Sequence, residues 1–482
     1  MQTSTSFRRD AQDLDDGSIS LSEIISALSY ALDLTEGAVH GHALRSCLLG
    51  MRIAAEAKLS AEQRGSLYFA LLLKDIGCSS HAARAQEIAD AGVWVPQSAF
   101  HDWRHIPGPN LAGVKTLWRN VISEMPTGRL ARMVRVGWNE PGGTGEAIGA
   151  RSDRGARIVR KLGMGDAAAE AVRSLEEHWD GDGYPDSLKG EQIPLLSRIC
   201  AVAQHLDVFS IGRGVESAIA MLEERSGTWF DPELVRIAVT LDRSGKLWSH
   251  CRPSDPEQDT RQAVLDLDDG RRHRLESTRI EQICEAFADV VDAKSHFTFR
   301  HSMGVADAAL GIATNMGLAA DRVQLVRRAA LLHDIGKLSV SNQILDKTSG
   351  LNPDEWNTVH RHPSMTRSVL ERIGPFREMA VVAGEHHEKL DGSGYPHRLE
   401  ARHLSLESRI IAVADVYGAL SEDRPYRPGM MLDEIVAIMS KLAPQQLDPD
   451  CMDALVSVIS SKRDMGHTVG PHLPGSPLVY AI

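Results

Sequence analysis

The stretch LLHDIGKLSV, residues 331–340, reads as a helix interior interrupted by His333, Asp334 and Lys337. Burying a carboxylate beside an imidazole and an ammonium is costly unless each charge has a partner. The stretch also has an echo: ALLHDIG at 330–336 parallels ALLLKDIG at 70–77. Farther on, EEHWDGDGYPDSLKGEQIPLLSRICAVAQHLDVF (176–209) parallels EHHEKLDGSGYPHRLEARHLSLESRIIAVADVYGAL (385–420), and His42 and His301 precede their motifs by the same distance. The order of parts agrees throughout, so the chain reads as two copies of one domain.

Apolar residues recur at three and four spacing in VADAALGIATNMG, ESRIIAVADVYGAL and LDEIVAIMSKLA, while strand alternation is scarce. The expected fold class is therefore all-α, two tandem helical bundles. The expected boundaries are a tail at 1–19, a first copy at 20–245, a linker at 246–274 rich in Pro, Asp and Arg, a second copy at 275–460, and a tail at 461–482. The first copy also carries an insertion at roughly 85–140, with PGPN, EPGGTG and several tryptophans.

A length of 482 residues suits two or three domains. The net charge of −12 argues against broad binding to nucleic acid or to an acidic membrane face, so an anionic substrate needs local metals or arginines. No basic recognition helix suggests DNA binding. No apolar run reaches the length of a spanning helix, and the N-terminus has no signal-peptide pattern. The six cysteines (47, 78, 200, 251, 284 and 451) are scattered without a C-x-x-C pair, which fits a reducing cytoplasm and excludes a cysteine zinc site.

In the second copy the candidate metal ligands are His301, His333, Asp334, His362, His386, His387 and Asp415, each on or beside a predicted helix. Imidazole nitrogen with carboxylate oxygen suits divalent transition ions; magnesium and calcium prefer oxygen alone. The set is too large for one tetrahedral ion and about right for two. A pair of ions can make a nucleophile from water at neutral pH and clamp a displacement at phosphorus. Lys337 lies one turn after the His333–Asp334 pair, on the same face.

HDIGK, HRHP, HHEKLDGSGYP and RIIAVADVYGALSEDRPYR, in that order over about 275–450, resemble the HD-GYP family of HD-superfamily phosphohydrolases. The resemblance implies an all-α bundle and metal-dependent hydrolysis of cyclic di-GMP to linear pGpG or GMP in bacterial signalling, with iron or manganese as the two ions. It implies one metal on His301, His333 and Asp415, another on His362, His386 and His387, and Asp334 bridging them. Asp334 and Lys337 would be catalytic. Lys337, Gly394 and Tyr395 of the GYP turn, and Arg424 and Arg427 of SEDRPYRPG, would contact substrate. Gly394 is expected to take a backbone conformation closed to other residues. Some family members carry a glutamate one turn before the first histidine, supporting a third metal; Phe297 stands there, which favours two. Cyclic GMP–AMP, another nucleotide, or low-turnover binding of a cyclic dinucleotide by a signalling adaptor remain as alternatives.

The first copy is read as a worn version. His42, Asp75 and His178 are expected to survive, Lys74 to replace the histidine of the H-D pair, Trp179 the second histidine of H-H, and Gln204 the counterpart of Asp415; RSDRGARIV around Arg151 fills the place of the H-P motif. This copy is expected to be noncatalytic and to regulate the second, or to engage a signalling partner or a second chain.

Overall fold

The computed structural model describes residues 19–36, 39–77, 143–268, 275–294, 301–347, 349–422 and 429–464. The insertion at 85–140, Phe297, Arg424 and Arg427 lie outside the described residues. Among the described residues every regular element is helical, and the extended pairings are two isolated bridges, Ser226 with Phe230 and Asp391 with Glu400. The all-α expectation holds.

The first copy comprises α1 (Leu21–Glu36), α2 (His42–Glu56), α3 (Ala61–Leu73), α4 (Gly143–Lys161), α5 (Asp166–Arg173), α6 (Leu195–Arg213), α7 (Val215–Glu224) and α8 (Pro232–Arg243). After it comes α9 (Glu257–Leu265), inside the stretch expected to be a linker. Its polar sequence suggested a solvated spacer, yet Thr260 and Val264 are buried and the helix packs on α1 and α2. Here a narrow apolar stripe is enough to seat a helix.

The second copy comprises α10 (Ser277–Asp292), α11 (His301–Asn315), α12 (Ala320–Leu332), the short α13 (Asn342–Leu345), α14 (Pro353–Val359), α15 (His362–Leu370), α16 (Arg377–Gly384), α17 (Leu406–Ser421), α18 (Leu432–Leu442) and α19 (Pro449–Asp464). Helix starts follow capping chemistry. Ser60 accepts from the Gln63 amide ahead of α3, and Asn352 accepts from Asp354 and Glu355 with Pro353 in the first turn of α14. In the second copy α11 packs against α12, α17 and α19, and α15 packs against α16.

One apolar cluster runs through both copies, from Leu28, Leu48 and Leu71 to Phe287, Ile312 and Leu331. The opening helix of each copy reaches the other copy: α1 packs on α15 and on the 3-10 turn Ile335–Ser339, while α10 packs on α4. Glu23 accepts from the Gly374 amide at 3.1 Å, and the Arg372 guanidinium lies 3.6 Å from the centre of the Tyr30 ring. The turn that carries Lys337 is therefore backed by the first copy.

Candidate metal centre

Helix α12 ends at His333, and Asp334 leaves helical geometry at φ −99°, ψ 5° to open the turn Ile335–Ser339. The turn is pressed against the start of α15. A Cβ on Gly336 would lie 2.0 Å from the His362 carbonyl oxygen and 2.7 Å from the Thr366 nitrogen, so only glycine permits the approach. Thr366 fixes it by donating its hydroxyl to the His333 carbonyl at 2.7 Å and accepting from the Gly336 amide at 3.0 Å. The end of α12 and the first residue of α15 thus aim His333, Asp334 and His362 at one point. Helix α11 begins with His301, His386 and His387 follow α16 after Glu385, and α17 supplies Asp415.

All seven expected ligands meet. Asp334 lies at the centre: its Oδ2 is 3.4 Å from His333 Nε2 and 3.9 Å from His301 Nε2, and its Oδ1 is 3.3 Å from His362 Nε2 and 3.7 Å from His386 Nε2. Asp415 lies 3.2 Å from His301 Nε2, 3.7 Å from His333 Nε2 and 3.7 Å from His387 Nδ1. His362, His386 and His387 can bring one ligand atom each within 4.8 Å of one another, and so can His301, His333 and Asp415. The two triads flank the two oxygens of Asp334.

The tautomers follow from the backbone. His333, His362 and His386 each direct Nδ1 at a carbonyl oxygen, those of Ala330, Val359 and Ala383, at 2.7, 2.7 and 2.6 Å. A carbonyl can only accept, so each ring carries a proton on Nδ1 and turns Nε2 inward. His362 Nε2 and His386 Nε2 then face each other at 3.1 Å, lone pair against lone pair. His333 Nε2 and Asp334 Oδ1 are buried without a hydrogen-bond partner. Such a concentration of inward lone pairs is unfavourable by itself and becomes favourable around cations, so these residues fit a metal centre.

Protonation follows the same division. Burial holds the His362 and His386 imidazoles below the usual range and lowers His387 to about 3, so these rings are neutral. Burial also acts to lower His301, but the hydrogen bonds its ring donates to Asp415 and Glu422 overcome it and raise this ring to about 9. For Asp334, burial acts upward, but His333 and Lys337 hold the carboxyl well below its usual range. The ionised carboxylates are balanced by protons on histidine when no metal is bound, and metal binding would release those protons.

Two features went unread in the sequence. Glu422 accepts from His301 Nδ1 at 2.9 Å, where the Nδ1 atoms of His333, His362 and His386 face backbone carbonyls; its place one turn after Gly418 was the available signal. Gly394 does not adopt a left-handed conformation. It is needed because a Cβ there would sit 2.5 Å from the His387 oxygen and 2.5 Å from the Lys389 nitrogen. Lys337 pairs with Asp334 Oδ2 at 2.6 Å, and the Tyr395 ring centre lies 4.7 Å from that of His387.

In the first copy the corresponding pocket is closed by side chains. Glu177 accepts from the amides of Asp186 and Leu188, and Glu388 accepts in the same way from His397 and Leu399. That pairing places Leu175 and Glu176, three residues before His178 and Trp179, opposite His386 and His387. The expectation that His178 survives as a ligand is therefore corrected: it stacks on Trp229, with ring centres 4.7 Å apart. The visual match of EEH with EHH misled, because an ungapped alignment on GYP already gives the right partners. Gly77 meets the Arg151 carbonyl as Gly336 meets that of His362, so Arg151 holds the His362 position. Lys74 Nζ lies 2.6 Å from His42 Nε2 and pairs with Asp75, while Arg151 donates to Glu176 at 2.6 Å.

Comparison with known proteins agrees with this architecture. The HD domain family model matches residues 146–234 and 285–451, covering parts of both copies. The 3′3′-cGAMP-specific phosphodiesterase 3 of Vibrio cholerae is 40% identical over 94% of this chain and 97% of that protein. The crystal structure of a cyclic GMP–AMP specific phosphodiesterase of V. cholerae, V-cGAP3, aligns at a TM-score of 0.62 and 36% identity, over 92% of this chain and 98% of that one. A cyclic di-GMP phosphodiesterase response regulator of Xanthomonas campestris is 37% identical over 30% of this chain and 39% of that protein.

Proposed function

This chain belongs to the HD domain family and is a phosphodiesterase of HD-GYP type; on that premise we propose that its second copy hydrolyses a 3′3′-linked cyclic dinucleotide. The observation that carries the proposal is the pair of ligand triads meeting on the two oxygens of Asp334. His301, His333 and Asp415 would hold one divalent transition ion and His362, His386 and His387 the other, with Asp334 between the two sets. Such a nitrogen and oxygen set admits several divalent transition ions, of which iron or manganese is the proposed occupant. Ions bound there would neutralise charge at the phosphoryl oxygens and lower the pKa of a water.

The protein's own groups do the rest. Lys337 reaches the centre from a partly exposed position; its ammonium turns from Asp334 to a phosphoryl oxygen when substrate binds and balances charge there. The neutral His362, His386 and His387 present lone pairs without loss of a proton, so the centre is organised before substrate arrives. Gly394 lets the GYP turn close on His387, and Tyr395 borders the pocket. Arg424 and Arg427 are proposed to hold phosphate or a base edge with their planar donor forks. The first copy is noncatalytic and acts as an internal support for the second, through α1 behind the Lys337 turn.

Cyclic GMP–AMP takes first place among substrates, because the relative named for it spans both copies, worn half included, whereas the Xanthomonas cyclic di-GMP enzyme matches about a third of the chain. Cyclic di-GMP, hydrolysed to pGpG or GMP, is the second reading. Among the described residues no helix is long and apolar enough to cross a membrane, and the described cysteines are free and buried; we place the protein in the cytoplasm.

The test is hydrolysis of both dinucleotides by protein purified without oxygen and loaded with iron or manganese. Asp334→Ala runs beside it, with metal content measured on both. Turnover by wild type alone, with metal near two per chain, is expected. A filled centre that cleaves neither dinucleotide would overturn the reading.

A further inference from the structure

Outside the ligand shell a second set of rings continues from it. Tyr395 stands 4.7 Å from His387, centre to centre, at an interplanar angle of 34°. His360 stacks on Tyr395 at 4.1 Å and 26°, and Trp356 follows at 5.2 Å from His360. Trp356 and His360 lie one turn apart at the end of α14, so the helix presents both on one side. The result is a row of aromatic side chains leading away from the metal centre.

The members of this row are half-buried, as is His387, whereas the other four rings of the shell are sealed. Neither the Trp356 indole N–H nor a His360 ring nitrogen is hydrogen-bonded to another described residue, so both keep polar edges for a ligand. The core does not need them either: neither residue belongs to the continuous apolar cluster. The helix that carries them is held by its own cap at Asn352 and by the Lys347–Glu355 ion pair. An accessible row of rings inclined 26–48° to one another, with free polar edges and starting at a ligand of the site, is a surface suited to a purine.

We propose that Trp356 and His360, backed by Tyr395, form the wall against which one base of the dinucleotide packs while its phosphate is held at Asp334. The proposal rests on the cyclic dinucleotide reading and adds the base subsite to it. The base lies next to the ribose whose phosphate enters the centre, so the row begins where that base must go. Aromatic faces accept any base; the free ring nitrogens of His360 and the indole N–H add hydrogen bonds to its edge.

The test uses the full chain loaded with metal. Steady-state kinetics on 3′3′-cGAMP and cyclic di-GMP are compared for wild type, Trp356→Ala, His360→Ala and His360→Phe. Binding of GMP and of ribose 5-phosphate is measured by calorimetry on the same proteins. The alanine variants are expected to raise KM by roughly 5- to 100-fold, the range that loss of one base stack brings. Their kcat should stay within about threefold and their metal content unchanged, because no ligand is touched. GMP binding falls with KM, ribose 5-phosphate binding does not, and His360→Phe restores most of the loss by keeping a stacking face. Unchanged KM in both alanine variants, or equal losses for GMP and ribose 5-phosphate, would overturn the wall and leave the phosphodiesterase standing. A wild-type protein that binds neither GMP nor either dinucleotide would overturn both.

Discussion

In each copy the first histidine lies at the same distance from the aspartate that follows the helix end: His42 Nε2 to Asp75 Oδ2 and His301 Nε2 to Asp334 Oδ2 are both 3.9 Å. The scaffold is the same; the cations differ. In the first copy the ammonium of Lys74 sits against His42 and Asp75, and the guanidinium of Arg151 against Glu176, all four charged groups buried. In the second copy the places of Lys74 and Arg151 are taken by His333 and His362, which bring lone pairs and no permanent charge. One copy carries its compensating cations in its own sequence, and the other is built to take them from solution. A fixed cation cannot activate water, so the exchange separates a supporting half from a reactive one.

The sharpest test of this contrast removes the shared aspartate from each copy. Asp334→Ala is expected to abolish metal binding and lower turnover by on the order of 10³-fold or more, while the folded protein persists. Asp75→Ala should keep full metal content, because it touches no ligand of the second copy. Its cost appears in a urea melt, as about 3–5 kcal/mol, because Lys74 is left buried and uncompensated. Metal loss in Asp75→Ala at unchanged stability would break the comparison.

Separating the copies comes next. The surface of the Ile335–Ser339 turn and of α15 that α1 covers would face water in a 275–464 fragment, and so would the side of α10 that packs on α4. The fragment is expected to melt at least ~10 °C lower than the whole chain or to associate through that face. Unaltered melting, activity and oligomeric state would show that the first copy lends no support.

The carboxylates behind the two first histidines give a third test. His42 Nδ1 pairs with Asp207 at 2.6 Å, and His301 Nδ1 with Glu422 at 2.9 Å, from positions one turn apart on equivalent helices. Glu422→Gln is expected to weaken metal binding about 10- to 100-fold, since the carboxylate fixes the tautomer and strengthens the ligand. Asp207→Asn leaves metal affinity alone and lowers stability, because Asp207 also holds Arg45. Competition with a chromogenic chelator reads the first effect and a thermal melt the second.

Much of this was legible before the structure because it is carried by local sequence. The repeat, the helical period and the order of HD, HP, HH and D motifs suffice to place His301, His333, Asp334, His362, His386, His387 and Asp415 in one centre. What was not legible depends on tertiary geometry. Glu422 has an ordinary helix-end sequence and matters only because α17 lies beside α11. Gly394 looked like a residue of unusual conformation, yet its requirement is the closeness of the His387 carbonyl. The register of the worn H-H pair differs by three residues from the match on His178, because it is fixed by the carboxylates of Glu177 and Glu388, which hold the turn and show in no motif. The helix at 257–265 was hidden by polar residues, one of which, Glu257, pairs with Arg372 of the second copy.

The smallest expected effect concerns a feature the copies share. Asp33 accepts from the amides of Gly41 and Ala43, and Asp292 accepts from the amide and hydroxyl of Ser302, each tying down the start of the helix that carries the first histidine. Burial raises both carboxyls to about 6. A carboxyl whose folded pKa exceeds its unfolded value takes up a proton on folding, so its penalty is absent below about pH 4, grows as the pH rises to about 6 and is constant above. Each contributes on the order of 1–3 kcal/mol of lost stability over that window. The lowered carboxyls Asp75, Asp207, Asp334 and Asp415 act with opposite sign at lower pH and mask the effect in the wild-type curve. It is therefore read as a difference: Asp33→Asn and Asp292→Asn, melted in urea from pH 4 to 7, should gain on wild type as the pH rises to 6 and then run parallel to it. Any constant offset from the altered hydrogen bonds drops out of that slope. A slope in one variant alone would mean that the two helix starts, alike in geometry, differ in how their aspartates ionise, and the cations of the neighbouring centres, Lys74 in one copy and Lys337 in the other, would be the cause to examine.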